Sequence, residues 1–187
     1  MTARAAAALE TRSALLDAGL EIAEQYGLSG MSVNRVVSVA GVAKGTFYVH
    51  FADRDAFLNA MHQRFHEQTG EAVAAALAQH PPGRIRLQAG MTAYFEACLS
   101  NHGVKALVLE ARNTPGVAMD VADRNAAVAA VAEPDLLAMG WTEPHTAARL
   151  VVAMCAEQSM AEMATGQRDE RGRQVLWDLL ARLDQST

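Results

Sequence analysis

Apolar residues recur at helical spacing along most of the chain, whereas the strict alternation typical of β-strands is absent. Ala, Leu, Met, Glu, Gln and Arg, which all favour helices, dominate the sequence. Gly, Pro and Asn residues interrupt the pattern and mark the expected helix ends. The chain is therefore predicted to be all-α, with about nine helices. Two are short and lie between residues 32 and 50, and the others are expected at Ala3–Tyr26, Arg54–Gln79, Ile85–Ser100, Val104–Ala111, Pro115–Ala138, Glu143–Thr165 and Arg171–Asp184.

The long fourth helix joins a small N-terminal part to a larger body without a flexible linker. Pro81, Pro82 and Gly83 end this helix, because proline lacks a backbone donor and disfavours the α conformation in the residue before it. We expect an N-terminal domain of residues 1–54 with three helices, and a larger helical bundle formed by residues 55–187.

The most informative segment covers residues 32–51 and reads SVNRVVSVAGVAKGTFYVHF. The Ser32 hydroxyl is placed to cap a helix that runs to Ala40. Gly41 permits a sharp turn, and a second short helix is expected from residue 43 or 44 to residue 50. Two short helices joined by a turn that contains glycine form a helix-turn-helix, in which the second helix enters the major groove of DNA. The motif is predicted at about residues 31–50.

The second short helix carries side chains suited to DNA. Lys44 lies near its start, where it reaches a guanine edge or a phosphate, and Gly45 and Thr46 allow close approach of the backbone. Tyr48 and His50 place polar tips at phosphate distance. Each of these residues alone is more often an ordinary surface or core residue. Their joint spacing around a capped, glycine-closed turn carries the prediction.

The chain resembles the TetR family of repressors in three runs, Gly27-Leu-Ser-Gly-Met-Ser32, Val-Ala-Gly-Val-Ala-Lys-Gly-Thr-Phe-Tyr-Val-His-Phe51 and Asp53-Arg-Asp-Ala-Phe-Leu58. The similarity covers about residues 10–60. It implies an all-α homodimer with a divergent ligand-binding body. It implies further that Ser32, Tyr48 and His50 bind phosphate, and that Asn34, Lys44 and Thr46 lie where family members contact bases. The full set of expected DNA-binding residues is Ser32, Asn34, Arg35, Lys44, Gly45, Thr46, Tyr48, His50 and Arg54.

Two positions depart from the family pattern. Val37 stands where the family usually has Ala, so the packing of the first short helix on the second is expected to be slightly wider. The usual Lys-Glu pair at the start of the fourth helix is replaced by Arg54-Asp55. Arg54 keeps the positive charge and is still suited to a phosphate.

The charge distribution permits DNA binding but does not indicate it. The net charge is −5, and residues 1–54 contribute none of it, because five basic residues there balance five acidic ones. The other 11 basic and 16 acidic residues lie in the body. A neutral N-terminal domain still presents a local basic face where its charges are placed on one side.

The body is expected to hold a small-molecule effector, although plain core packing is the more common role for most candidates. The expected ligand-binding residues are His62, Phe65, His66, Met91, Tyr94, Phe95, Cys98, Met119 and Trp141. His62 and His66 share a helix face at a spacing that also suits a metal, with Glu67, His102 or Cys98 as further ligands. Without an HExxH or paired-cysteine motif, neither a metal nor a cofactor is expected.

The last two helices, at about residues 143–165 and 171–184, are expected to form a homodimer interface. The first carries a stripe of small or β-branched residues and the second a strip of larger apolar ones. Alternatively, these stripes face only the chain's own core. Their members are Ala148, Val151, Val152, Cys155 and Ser159 on the first helix, and Val175, Leu176, Leu179, Leu180 and Leu183 on the second.

These features predict a sequence-specific DNA-binding regulator that responds to a ligand and binds a pseudo-palindromic operator. The resemblance to the TetR family implies that it is a repressor, which the ligand releases. No GxSxG, Walker-type or Rossmann glycine pattern is present, which argues against an enzyme. A helical scaffold, the remaining alternative, would not need the polar face of residues 44–50. The sequence has neither a signal-peptide pattern nor an apolar run long enough for a membrane span, so a cytoplasmic location is expected.

Overall fold

The computed structural model describes residues 2–101 and 115–183. Within these ranges the chain forms eight α-helices and no strand, in agreement with the predicted all-α class. A short 3₁₀ turn, Leu28–Gly30, follows the first helix. The predicted helix Val104–Ala111 lies outside the described residues. The helices are α1 (Ala3–Tyr26), α2 (Val33–Val39), α3 (Lys44–His50), α4 (Arg54–Leu77), α5 (Arg84–Ser100), α6 (Pro115–Ala138), α7 (Pro144–Thr165) and α8 (Glu170–Leu183).

The described residues divide into two compact units. The first contains residues 2–67, and the second contains residues 68–101 and 115–183. Along the chain, the division between the two units falls within α4, after Glu67.

The core of the first unit forms where α1 packs on α2, α3 and α4. Leu15, Leu16 and Ile22 of α1 are buried, as expected for an amphipathic helix. A Cβ atom added to Gly19 would lie 2.6 Å from Cζ of Phe57 and 2.7 Å from Sδ of Met61. A hydrogen at this position therefore lets α1 and α4 approach closely.

Leu9, near the start of α1, lies outside this core. Its side chain is 57% exposed. With Arg12 and Leu16 it borders a shallow surface groove between α1 and α4, whose opposite wall includes Ala60 and Arg64. Leu9 lies on the same face of α1 as the buried Leu16, two turns later. The core does not extend as far as the first turns of α1, so Leu9 stays exposed.

The core of the second unit lies between α5, α6, α7 and α8. Its buried apolar residues are Leu87, Met91, Phe95, Ala129, Leu136, Ala147, Ala148, Val151, Cys155, Leu176 and Leu180. Trp141 and Trp177 are partly buried and pack against this core.

Asp135, fully buried on α6, accepts hydrogen bonds from the Gly83 N–H (2.9 Å) and the Arg86 guanidinium (2.8 and 2.9 Å). This ion pair fixes the start of α5 against α6.

A second buried ion pair fastens α8. Arg173 and Glu162 are only 4% and 1% exposed, so both charges are removed from water. The Arg173 guanidinium donates to both Glu162 carboxylate oxygens, from Nε at 2.7 Å and from Nη2 at 2.6 Å. Its third nitrogen, Nη1, donates to Glu96 on α5 at 2.6 Å. The group also lies over the Phe95 ring, 4.8 Å from its centroid. Arg173 therefore holds α5, α7 and α8 together.

The stripe of small residues predicted to pair with a partner is instead buried within the chain. Ala148, Val151, Cys155 and Ser159 are between 0% and 7% exposed and lie inside the second unit. The alternative, that this stripe faces the chain's own core, applies to them. Leu176 and Leu180 are also buried in this core. The large apolar side chains that α7 and α8 leave exposed are Leu150, Val175 and Leu179.

Among the described residues, no helix has both the length and the apolar character that crossing a bilayer requires.

Candidate nucleic-acid interface

The helix-turn-helix is built from local backbone preferences. The Ser32 Oγ accepts a hydrogen bond from the Arg35 N–H at 3.3 Å and so caps α2. Gly41 adopts a positive φ of 67°, a conformation that glycine accepts without strain. The Val42 N–H then returns to the Val37 carbonyl at 3.0 Å, which closes the turn. These contacts fix the short connection before α3.

Three aromatic rings hold α3 in place. Phe47, at the centre of α3, is fully buried. Its ring centroid lies 5.4 Å from that of Phe51 and 5.3 Å from that of Phe57 on α4. Phe51 and Phe57 are 5.0 Å apart in an edge-to-face arrangement. Aromatic pairs at these separations stabilise beyond simple burial, so one side of α3 is firmly anchored.

The opposite side of α3 faces solvent. Lys44 and Gly45 are exposed, Tyr48 is 52% exposed, and Thr46 and His50 are half-buried. Ser32 and Asn34, at the start of α2, are exposed as well. The structure thus brings most of the predicted DNA-binding residues to the exposed surface of the two short helices.

The two arginines of the predicted set already have intramolecular contacts. The Arg35 guanidinium lies over the Tyr26 ring at 4.7 Å and donates to the Gly30 carbonyl at 2.5 Å, which ties α2 to the end of α1. Arg54 donates from Nε to the Met31 carbonyl at 3.3 Å. Both side chains therefore brace the segment between α1 and α2.

Asp53 has a structural role that the sequence analysis did not assign. Its Oδ1 accepts a hydrogen bond from the Ala56 N–H at 2.7 Å, so it caps α4 directly after the Phe51 anchor. An aspartate three residues before an apolar run is a known start signal for helices, and this signal was available in the sequence. Arg12 of α1 also lies over Phe51, 5.2 Å from the ring centroid.

Comparison with known proteins agrees with this geometry. The sequence profile of the family described as bacterial regulatory proteins, tetR family, matches residues 15–61, which contain α2, α3 and their supports. The transcriptional regulator RHA1_ro04179 from Rhodococcus sp. Rha1 has the same fold, with a TM-score of 0.77 over 91% of this chain and 96% of its own. Residues 15–61 are thus similar to the TetR family. The resemblance stated from the sequence is thereby confirmed.

Two curated TetR-family relatives match part of the chain. The HTH-type transcriptional repressor DhaR of Mycobacterium sp. (strain GP1) is 33% identical over 87 residues, which are 46% of this chain and 43% of DhaR. The HTH-type transcriptional regulator AcrR of Shigella flexneri is 31% identical over 74 residues, which are 40% of this chain and 34% of AcrR. The chain thus aligns with less than half the length of either relative. DhaR is a transcriptional repressor and AcrR a transcriptional regulator.

Sequence identity to solved structures with this fold is low over the aligned length. The Rhodococcus regulator is 20% identical to the chain, so it supports the fold alone. The multidrug binding protein EbrR, solved in complex with malachite green, is 26% identical with a TM-score of 0.70 over 92% of this chain and 96% of EbrR. Over most of its length, the chain therefore shares the TetR-family fold but little of its sequence.

The predicted effector-binding residues are divided between the two units. His62, Phe65 and His66 lie on α4 in the first unit, and the remainder lie in the second. The rings of His62 and His66 form an edge-to-face pair, with centroids 4.5 Å apart. The described residues contain no group of three or more His, Cys, Asp or Glu side chains placed to hold a metal.

The second-unit candidates lie in or against the core of that unit. Met91, Phe95 and Cys98 are buried, whereas Tyr94 and Trp141 are partly buried. Tyr94 and Ser159 form a hydrogen bond of 3.3 Å between their hydroxyl groups. The Met119 side chain lies outside what the structure describes.

The cysteines have the properties of core residues. Cys98 and Cys155 are both free and buried. Burial raises the pKa of Cys98 to about 11 and the pKa of Cys155 to about 12. The reactive thiolate is therefore scarce at neutral pH, which agrees with a packing role.

Proposed function

We propose that the chain is a sequence-specific DNA-binding transcriptional regulator that represses its target and is released from its operator by a small molecule. The observation that carries this proposal is α3, a short helix with an aromatic anchor on one side and an exposed polar surface on the other. A DNA-reading helix needs both properties, because it must hold a fixed orientation while its outer side chains reach base edges. Such a regulator acts in the cytoplasm, where bacterial DNA lies.

The exposed residues divide by the chemistry that they offer to DNA. Lys44 and Thr46 on α3, with Asn34 on α2, are assigned to the bases, because their side chains match donor, acceptor and methyl groups in the major groove. Ser32, Tyr48 and His50 are assigned to phosphates, which position the protein without reading sequence. Gly45 allows the α3 backbone to approach the groove. Arg35 and Arg54 hold the segment between α1 and α2 in place and are assigned only indirect roles in DNA binding.

Lys44→Ala tests the DNA-binding surface. A gel shift on the DNA upstream of the chain's own coding region identifies the operator. A salt titration of the binding constant then measures how many counterions the protein releases from the DNA. The variant should lose about 1–3 kcal/mol of operator affinity if Lys44 reads a guanine, or reduce the salt slope by about one if it contacts phosphate. Arg84→Ala, which removes an exposed cation from the second unit, is the matched control and should bind normally. Unchanged affinity and salt slope in Lys44→Ala would refute the role of α3.

We further propose that the regulator works as a homodimer. A pseudo-palindromic operator presents equivalent half-sites about 34–36 Å apart, and two copies of one reading helix match this symmetry. The exposed side chains of Leu150, Val175 and Leu179 on α7 and α8 supply apolar surface for such a contact. Analytical ultracentrifugation at micromolar concentration should detect twice the chain mass of 20.0 kDa. A 20.0 kDa species alone would overturn this part of the proposal.

The effector is proposed to be an aliphatic or mixed molecule that binds in the second unit. EbrR was solved in complex with malachite green, but the body of this chain offers few aromatic rings for stacking on such an aromatic dye. After Asp55 these are Phe57, Phe65, Tyr94, Phe95, Trp141 and Trp177. An effector releases the operator only if it favours one of two protein states. Equal operator affinity with and without a bound effector would exclude this mechanism.

A further inference from the structure

Val49 is an apolar side chain on the exposed side of α3. It is 79% exposed, the largest value among the exposed large hydrophobic residues in the described ranges. Phe47, two residues earlier, is fully buried. With about 100° between successive helical residues, Gly45 and Val49 each lie about 160° around the helix from Phe47. These two residues therefore form the outermost line of α3.

Gly45 lies on this outermost line although the fold does not require a glycine there. A Cβ atom added at Gly45 would meet nothing within 4 Å, and its φ is not positive. The absent side chain leaves the helix backbone uncovered one turn before Val49. The surface that comes closest to any bound molecule is thus a bare backbone followed by an isopropyl group.

Polar groups surround this apolar point. Lys44 and Tyr48 are exposed beside it, and the half-buried His50 follows. A protein partner would favour a wider apolar patch, whereas a DNA groove offers phosphates around a few apolar atoms. In the major groove, the 5-methyl group of thymine is the apolar feature that distinguishes one base from the others.

We propose that Val49 is a specificity-determining residue that contacts the 5-methyl group of a thymine in each operator half-site. The inference rests on the proposed DNA-binding function and deepens it. Lys44 then reads a polar edge of the same half-site while Val49 selects thymine beside it. Thr46 offers its own methyl group from a neighbouring position, so the two residues are expected to sense different thymines.

The test replaces each operator thymine in turn by deoxyuridine, which removes only the methyl group. Wild-type protein should lose affinity about fourfold at one thymine in each half-site, the effect expected for one methyl group removed from an apolar contact. Val49→Ala should bind the unmodified operator more weakly and should no longer respond at that thymine. Thr46→Ser should keep the response to this thymine, which separates the two methyl contacts.

Val128→Ala is the matched control, because Val128 is an exposed valine of the second unit. It should bind like the wild type and keep every deoxyuridine response. Far-ultraviolet circular dichroism confirms that Val49→Ala is folded, which is expected since the side chain has few contacts and alanine favours helices. If wild type and Val49→Ala bind the operator specifically but respond identically at every thymine, the Val49 contact does not exist. If the wild type binds no DNA specifically, the proposed function itself fails, and this inference with it.

Discussion

Replacement of Arg173 by methionine should lower the free energy of unfolding of the second unit by about 3–5 kcal/mol, the usual cost of removing one partner from a buried ion pair. The substitution leaves the Glu162 carboxylate, which is 1% exposed, without the two hydrogen bonds that Arg173 donates. The bond from Gln158, at 3.1 Å, and a backbone hydrogen bond from Asp169 remain, but neither neutralises the charge. Hydrogen exchange of the α7 and α8 amides, together with urea unfolding, measures the loss where it occurs.

The effect of this substitution should depend on pH. Burial by itself would raise the pKa of Glu162, but the hydrogen bonds and charge of Arg173, with Gln158, hold it below 4.5 in the folded chain. The ion pair therefore stabilises the wild type above about pH 4.5, and this contribution is lost as pH falls through the lower folded pKa. In Arg173→Met, the lowering effect of Arg173 is lost while burial still raises the pKa of Glu162. The carboxylate therefore takes up a proton more readily. The difference in stability between wild type and variant should shrink on acidification.

Two further variants identify the cause. Arg168→Met removes the other cation that binds Glu96, at 2.6 Å. These two side chains are 46% and 43% exposed, so water screens the pair and little change is expected. A double variant with Glu162→Met and Arg173→Met removes both buried charges and should recover much of the lost stability. If Arg173→Met and Arg168→Met unfold alike, or if the double variant is the least stable, the buried ion pair is not the cause.

Replacement of Phe47 by alanine should destabilise the first unit by about 3–5 kcal/mol, because a fully buried ring leaves a cavity that its neighbours fill only partly. The same change removes the ring that joins α3 to Phe51 and Phe57. Operator affinity should therefore fall even at temperatures where α1 remains folded. Exchange of the α1 and α2 amides should become faster, while exchange in α7 should stay unchanged.

Val49→Ala is the stability control on the same helix, since its side chain is 79% exposed. It should leave the free energy of unfolding almost unchanged. Phe47→Leu keeps an apolar group in the anchor and should fall between the wild type and Phe47→Ala in both stability and operator affinity. Equal stability of Phe47→Ala and Val49→Ala would contradict the anchoring role of the ring.

Local signals in the sequence predicted the positions of the helices and of the helix-turn-helix. α1 begins and ends at the predicted residues, and the other described helices deviate by no more than two residues at either end. Helix ends depend on caps and on glycine and proline, which act within a few residues of the chain. Ser32 and Gly41 are such signals, and both serve in the structure as the sequence indicated.

Contacts between residues far apart in the chain could not be predicted from the sequence. The helical period selects a face of a helix but not the element that covers it. The sequence therefore leaves open whether the small residues of α7 face a partner or the chain's own core, where Ala148, Val151 and Cys155 lie. Arg173 and Glu96 are 77 residues apart, and nothing in their spacing predicts their contact. Val49 is apolar and lies two residues after the buried Phe47, so sequence alone does not separate a core position from an exposed one. Its exposure of 79% in the structure does so.

The position of the tryptophans has a spectroscopic consequence. The chain contains two, Trp141 and Trp177, and both pack against the core of the second unit. Their emission therefore reports the environment of that unit, while the first unit contributes only tyrosine and phenylalanine. Fluorescence and circular dichroism recorded on one sample separate the unfolding of the two units without any added label.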